Sequence, residues 1–333
     1  MVKLVDEIIL FRKAGDCMWT YTAKKILVWI PILAIALYIP FMALIHLTPG
    51  PPFPFALGGG DGALHQVHEW REYYGFNQTP SERYIRYILS VFRGEFSPVS
   101  VFGRGGHDPS ITPMVMYFSL YTIRLIAISL SASLALAIPI GAMAAARKNA
   151  WTDKIIRAVA LIGSSMPIFV LGMILVILLF HPVASGWRPH LVVSSIALGF
   201  SMFCVMALSV RSTCLKVIGQ DYITAVRAKG LVGNKIIFKH VLRNALPPVL
   251  STLQIQLGAF FSGVIIIEFL SHRPGIGRLL MQGILSRDYA LALACVVMFV
   301  FCYVVIHILI DITQGLIDPR VREQGLWAER VNQ

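Results

Sequence analysis

The chain has 333 residues, of which 56% are hydrophobic and only 14% are charged, and its formal net charge is +12. A soluble domain carries roughly 25% charged residues. The apolar residues are gathered into six long stretches, which excludes an ordinary soluble enzyme and a basic, soluble nucleic-acid-binding protein. We therefore expect an integral membrane protein that contacts lipid and no nucleic acid.

Each apolar stretch is long enough to cross a bilayer, which needs about 20 mainly apolar residues. The first stretch is longer than the core of about 7–15 residues that is typical of a signal peptide, so we expect it to remain as a span. The sequence therefore predicts an all-α protein with six transmembrane helices. The predicted spans cover residues 26–47, 114–146, 158–180, 191–210, 249–270 and 290–310.

The basic residues predict the orientation of these spans. With both termini in the cytoplasm, the cytoplasmic segments hold 19 Lys and Arg residues and the outer segments hold 9. Cytoplasmic loops of membrane proteins carry such an excess. We therefore expect residues 1–25 and 313–333 to be cytoplasmic. Residues 1–25 alternate apolar and charged side chains, which predicts an amphipathic helix on the membrane surface or, alternatively, a solvated tail.

Residues 48–113 form the only sizeable outer segment. Glycine and proline runs predict irregular chain at both of its ends, and helical spacing between residues 64 and 92 predicts a small extracytoplasmic cap of two short helices. Ser81 is the predicted N-cap of the second helix. His65 and His68 in HQVHE lack the residue order and the third ligand of a zinc site, so we predict no metal site and no cofactor.

The second predicted span contains a charged residue well inside it. Arg124 lies about ten residues into the second predicted span, where a charge costs roughly 2.5–3.5 kcal/mol on insertion scales. We hypothesise that Arg124 lines a substrate pathway and meets a carboxylate; the alternatives are that it snorkels outward or pairs structurally with a partner subunit.

Pro139 and Pro167 each remove a backbone hydrogen bond, so we expect kinks in spans two and three.

The segment between spans four and five, residues 211–247, is basic and carries its own helical pattern. Asp221 is the predicted N-cap of a short helix that Gly230 and Gly233 end. A second helix follows, and the Pro247–Pro248 pair is expected to open span five, where a missing N–H costs little. Such a hairpin suits docking into a groove of a cytosolic partner, although an ordinary basic loop would also satisfy the charge bias.

Motifs in this hairpin and elsewhere in the chain resemble those of a known family. RAKG at 227–230 and HVLRNALPP at 240–248 resemble the cytoplasmic "EAA" loop of type I ABC-importer permeases, in the form found in the dipeptide, oligopeptide and nickel uptake group. Thr224 and Val226 differ from the Glu and Ala of the general motif. Further stretches resemble the same group in order along the chain: IHLTPGPP, YYGFNQTPSERYIRYI, GSSMPIFVLG, IIIEFLSHRPGIGRLL, RDYAL and DPRVR.

The resemblance implies a first-permease ("B"-type) subunit in a bacterial inner membrane, with residues 114–312 as its permease domain. It also implies a second, homologous permease, two cytosolic ATP-binding subunits and an external solute-binding protein. The short helix would be the coupling helix, which sits in a cleft of the ATP-binding subunit. The residues expected to contact that subunit are Asp221, Tyr222, Ala225, Arg227, Ala228, Lys229 and Gly230.

The expected function is to form the pathway through which peptides are imported by alternating access. No GxxxxGK[ST] phosphate loop occurs in the sequence, so we expect ATP hydrolysis in the partner subunits and not in this chain. Nickel or other metal chelates and opine-like solutes are alternative substrates of the same machinery. Alternatives of another class are a secondary transporter or channel without an ATPase, a membrane-embedded enzyme and a membrane scaffold.

Overall fold

The structure is a computed structural model. It describes residues 27–29, 31–43, 79–93, 111–180, 187–231, 233–286 and 288–317. Every regular element in these ranges is helical, so the predicted all-α fold class is confirmed. The predicted N-terminal segment 1–25, the first helix of the outer loop with HQVHE, and all but the start of the predicted tail lie outside the described residues.

Eleven helices and one π-helical turn follow one another in the described part of the chain. The π-helical turn, Ile237–Val241, lies between α8 and α9. The helices are α1 (residues 27–29 and 31–43), α2 (Pro80–Phe92), α3 (Thr112–Ala146), α4 (Trp151–Ser165), α5 (Ile168–Phe180), α6 (Trp187–Ile218), α7 (Asp221–Ala228), α8 (Asn234–Ile236), α9 (Leu242–Leu270), α10 (Ile276–Leu285) and α11 (Tyr289–Ile317).

Within the described ranges, four helical segments are each long and apolar enough to cross a membrane. They have 27 to 35 residues, and at a rise of about 1.5 Å per residue each exceeds a hydrocarbon core of about 30 Å. They correspond to predicted spans two, four, five and six. The segments are Thr112–Ala146, Leu191–Ile218, Ile237–Leu270 and Leu291–Ile317.

The third predicted span is divided into α4 and α5 at Met166 and Pro167. Proline disfavours the helical conformation of the residue before it, and Met166 is extended, with φ −86° and ψ 133°. The kink expected at Pro167 is therefore a complete interruption. Pro139, in contrast, lies inside α3, which continues through it as one helix.

The chain forms two compact units, and four of its described helices (α1, α3, α9 and α11) contribute residues to both. The first unit consists of residues 1–30, 125–267 and 303–333. In this unit α6 packs against α4 and α5. A Cβ atom on Gly141 of α3 would lie 2.7 Å from the carbonyl oxygen of Ala207 in α6, so only glycine permits this approach. Small residues of this kind let two helices approach closely inside a membrane.

The second unit consists of residues 31–124 and 268–302. Here α2 packs against α1. The hydroxyl of Tyr84 donates a hydrogen bond to the Ala34 carbonyl at 2.5 Å, and the ring of Phe41 lies 5.4 Å from that of Tyr84 and 5.7 Å from that of Tyr87. Aromatic packing therefore holds the described helix of the outer loop to the first apolar helix.

The N-cap predicted for α2 is wrong. Thr79, and not Ser81, caps the helix: its hydroxyl accepts a hydrogen bond from the Glu82 N–H at 3.4 Å, and the Glu82 carboxylate accepts one from the Thr79 N–H at 3.1 Å. This is a capping box, which requires Thr and Glu three residues apart. Pro80 takes the first helical position, where its missing N–H is harmless, so Ser81 already lies inside the helix.

Candidate functional site

The hairpin between α6 and α9 begins with α7 and turns at two glycines. Gly230 has φ +82° and Gly233 has φ +65°, in the left-handed region that favours glycine. The helix before them ends at Ala228. The prediction that these glycines end the first helix of the hairpin is confirmed.

The N-cap predicted for α7 is wrong. Gln220 occupies the cap position with an extended backbone, and it makes no side-chain capping hydrogen bond. Asp221 is the first helical residue, because Gly219 and Gln220 already reverse the chain after α6. In the first turn its carboxylate still interacts favourably with the positive end of the helix dipole.

The Pro247–Pro248 pair does not open a helix. Both prolines lie inside α9, which begins at Leu242 and follows the π-helical turn without interruption. The missing N–H groups would have bonded the carbonyls of Arg243 and Asn244. Both of these residues are exposed, so their carbonyls lie near solvent and the helix tolerates the two prolines.

The seven residues predicted to contact an ATP-binding subunit lie on α7 and the turn after it, and every one of them is exposed. We call this set the coupling surface. The opposite face of α7 is anchored, since Ile223 is fully buried and Val226 is half-buried. Because one face of so short a helix is held in the protein, the coupling surface is left outward and free for a partner.

A side-chain hydrogen bond closes the hairpin. The Asn244 amide nitrogen donates to the Tyr222 hydroxyl at 2.6 Å, which links α7 to the first turn of α9. Between them the second half of the hairpin buries Ile236, Ile237 and Val241. Sequence analysis predicted a second helix in the hairpin but not the bond between Tyr222 and Asn244.

A buried ion pair that sequence analysis missed lies in the same unit. Asp153, in the first turn of α4, is fully buried and accepts hydrogen bonds from Arg211 of α6 and from the Asn149 N–H at 3.0 Å. Hydrogen bonding to Arg211 is the main reason that the pKa of Asp153 falls to about 2. The available signal was a lone carboxylate in the basic segment 147–157.

The second unit contains another buried carboxylate that sequence analysis did not single out. Glu268, near the end of α9, is fully buried, and its two oxygens accept from the Thr122 hydroxyl and from the Gly277 N–H, each at 2.8 Å. The Thr122 oxygen in turn accepts from the Ile276 N–H at 2.8 Å. A Cβ atom on Gly275 would collide with the Glu268 carboxylate. The carboxylate thus caps the N-terminus of α10 and ties it to α3.

Two arginines of this unit differ in their surroundings. Arg124 of α3 is exposed, and its side chain makes no hydrogen bond or ion pair with any residue that the structure describes. Arg273, in the turn after α9, is buried, and its Nη2 donates to the Tyr121 carbonyl at 3.3 Å. Burial lowers the pKa of Arg273. Arg124 is therefore the guanidinium of this pair that a solute could reach.

The part of the chain that the structure describes contains no cluster of three or more His, Cys, Asp or Glu residues that could hold a metal ion. Four of the five cysteines lie in it, and all four are free and buried. The two buried carboxylates described above, Asp153 and Glu268, are tied into structural hydrogen bonds.

Comparison with known proteins agrees with this arrangement. The family described as "Binding-protein-dependent transport system inner membrane component" matches residues 137–323, more than half of the chain. The "Glutathione transport system permease protein GsiC" of Salmonella paratyphi A is 31% identical over 313 residues, which cover 92% of this chain and 99% of that protein. The protein of the same name from Pectobacterium atrosepticum is 30% identical over 314 residues, with the same coverage.

The matched range includes the coupling surface, Asp153, Arg211 and Glu268, so the family similarity and the described geometry concern the same part of the molecule. The apolar helices long enough to cross a bilayer agree with an inner-membrane location. The chain therefore belongs to the family of binding-protein-dependent transport system inner membrane components, and it is a multi-pass permease subunit of an ABC importer.

Proposed function

We propose that this chain pairs with a second, homologous permease and that the two form a pathway for peptide-type solutes. The observation that carries the proposal is the coupling surface. All seven of its residues are exposed, whereas Ile223 of the same helix is fully buried. A helix with one face anchored and the other free suits docking into a cleft of a cytosolic ATP-binding subunit.

In this proposal six spans cross the membrane with both termini in the cytoplasm. Two ATP-binding subunits bind below, and an external solute-binding protein delivers solute to the outer segments. When ATP closes the two ATP-binding subunits, the coupling helices are drawn together and the permease pair opens outward. Packed helices switch between discrete arrangements, so a small displacement of α7 is converted into alternating access.

The solute class is supported by two observations. The relatives with 30–31% identity are named for glutathione transport, and glutathione is a tripeptide with free carboxylates. Arg124 offers an exposed guanidinium on α3 that has no partner among the described residues, and a guanidinium can bind a carboxylate through two parallel hydrogen bonds. We propose that Arg124 lines the pathway and meets a carboxylate of the solute. Metal chelates and opine-like solutes are the alternative cargo.

The test is reconstitution of the permease with its ATP-binding subunits in vesicles, with the loaded solute-binding protein added. We expect ATP hydrolysis to be stimulated by solute and uptake of glutathione or short peptides to require ATP. Uptake that follows an ion gradient without ATP would identify a secondary transporter and contradict the proposal. Uptake of a nickel chelate but not of peptides would support the ATP-driven importer and would show that the proposed solute class is wrong.

A matched pair of charge reversals tests the coupling surface itself. The double variant Arg227→Glu and Lys229→Glu should no longer purify with the ATP-binding subunits. The control, Arg147→Glu and Lys148→Glu, reverses two exposed charges in the turn after α3 and should retain them. Retention by both variants would exclude the proposed docking surface.

A further inference from the structure

Tyr222 belongs to the coupling surface, but its hydroxyl is already used within the chain. The Asn244 amide donates to that hydroxyl at 2.6 Å. Tyr222 lies in the first turn of α7, and Asn244 lies in the first turn of α9. The hydrogen bond therefore joins the helix that would contact the ATP-binding subunit directly to a helix long enough to cross the membrane.

The backbone route between the same two helices is long and irregular. It passes through Gly230 and Gly233, both in the left-handed region, and no atom would lie within 4 Å of a Cβ added at either position. It then passes through α8, which has 3 residues, and through the π-helical turn. Glycine-containing turns and π-helical turns are places where a chain bends. This route is poorly suited to transmitting a displacement.

The side-chain route is short and starts from fixed positions. Ile223, the neighbour of Tyr222, is fully buried, and so are Val241, three residues before Asn244, and Ala245, directly after it. From Leu242 the helix α9 continues to Leu270 as one helix, through Pro247 and Pro248. A displacement that reaches Asn244 is therefore passed along one continuous helix.

We propose that Tyr222 and Asn244 form a strut that carries the displacement of α7 into α9, so that the Tyr222 hydroxyl is a positioning group and not a contact to the ATP-binding subunit. The inference rests on the proposed function of the coupling surface. The strut sets how much solute moves for each ATP hydrolysed. It does not set whether the ATP-binding subunits bind.

The experiment uses the reconstituted importer and three measurements for each variant: affinity for the ATP-binding subunits, ATP hydrolysis, and solute transported per ATP. Tyr222→Phe removes only the hydroxyl, and Asn244→Leu removes the donor. Asn244→Asp restores a bond of opposite polarity, because the Tyr222 hydroxyl can donate to a carboxylate. Tyr117→Phe is the matched control, since it removes an exposed hydroxyl that lies 2.8 Å from the Tyr121 hydroxyl in the other unit.

We expect Tyr222→Phe and Asn244→Leu each to lower the solute transported per ATP about five-fold, which corresponds to the loss of one ordinary hydrogen bond. The double variant should be no worse than either single one, since both remove the same bond. Asn244→Asp should keep most of the coupling, and Tyr117→Phe should match the unmodified chain. Affinity for the ATP-binding subunits should be unchanged throughout.

Two results would overturn the strut. If Tyr222→Phe weakens binding of the ATP-binding subunits while Asn244→Leu does not, the hydroxyl is a contact to that partner. If both variants transport solute at the unmodified ratio, the bond has no role in coupling. Failure of the unmodified chain to bind any ATP-binding subunit would instead refute the proposed function, so the two failures are distinguishable.

Discussion

The Asp153 carboxylate accepts two hydrogen bonds from the Arg211 guanidinium, from Nε at 2.5 Å and from Nη2 at 2.8 Å. This bidentate pair joins the first turn of α4 to α6, ten residues before α7 begins. Asp153 is fully buried and Arg211 is only 14% exposed. The pair therefore fixes the end of the helix from which the coupling surface continues, and its loss should destabilise that region.

Replacing Asp153 by Asn should destabilise the protein by roughly 3 kcal/mol, because removing one partner of a buried pair leaves the other charge uncompensated. Thermal unfolding in detergent measures this loss. Arg211→Lys keeps the charge but cannot donate two parallel hydrogen bonds, so an intermediate loss is expected. Equal stability of Asp153→Asn and the unmodified chain would show that the pair contributes nothing net.

The same pair predicts a pH dependence. The pKa of Asp153 is about 2 in the folded chain, below its ordinary value of 3.8, chiefly because Arg211 hydrogen-bonds the carboxylate. Because the pKa of Asp153 is lower in the folded chain, its carboxylate stabilises the folded state fully at pH values above the ordinary pKa. This stabilisation is lost as the pH falls toward the pKa of the folded chain. The stability difference between the unmodified chain and Asp153→Asn should be constant from about pH 5 to 7 and narrow below about pH 4. A difference that changes between pH 6 and 7 would point to another group.

The carboxylate of Glu268 should be needed to hold α10 in place. Glu268→Gln puts an amide donor opposite the Thr122 hydroxyl or the Gly277 N–H, and each polar group left unsatisfied costs about 1–3 kcal/mol. We expect faster hydrogen exchange in Ile276–Leu285 and a lower unfolding temperature. Thr122→Ser keeps the hydroxyl and should preserve both quantities, whereas Thr122→Val should not. Unchanged exchange in Glu268→Gln would refute the capping role.

Arg124 should affect uptake and not stability. It is exposed and unpaired within the described part of the chain, so Arg124→Leu removes no intramolecular bond there. If it meets a solute carboxylate, KM should rise about ten-fold or more, since hydrogen bonds to charged groups contribute about 1.5–3 kcal/mol. Uptake of a peptide with an amidated C-terminus should change far less. Unchanged kinetics for the free peptide, at equal expression, would remove Arg124 from the pathway.

The glycine turn of the hairpin between α6 and α9, and four of the six predicted spans, were predictable because their causes are local. Apolar stretches of about 20 residues can be satisfied only as helices in a bilayer, and the left-handed conformation at Gly230 and Gly233 favours the one residue without a Cβ. The Thr79–Glu82 capping box was also present in the sequence. It was missed because Ser81 lies closer to the apolar positions that follow.

Other local rules were decided by context. The Pro247–Pro248 pair was expected at the start of a helix, and it lies inside one because the two carbonyls it leaves unbonded belong to exposed residues. Asp221 was expected at the N-cap of α7. It is instead the first helical residue, because Gly219 and Gln220 already form the turn before the helix. In both places the local preference was small, and solvent exposure or the preceding turn decided the outcome.

The sequence by itself determined that this chain is an all-α membrane protein with a glycine-turned, basic hairpin, since hydrophobic length, charge bias and glycine conformation depend only on neighbouring residues. Only the tertiary structure decided which polar groups meet. Asp153 finds Arg211 across 58 positions, and Thr122 finds Glu268 across 146. The physical reason is that a buried charge requires a hydrogen-bonding partner, and helix packing, not position in the chain, determines which residue comes within reach.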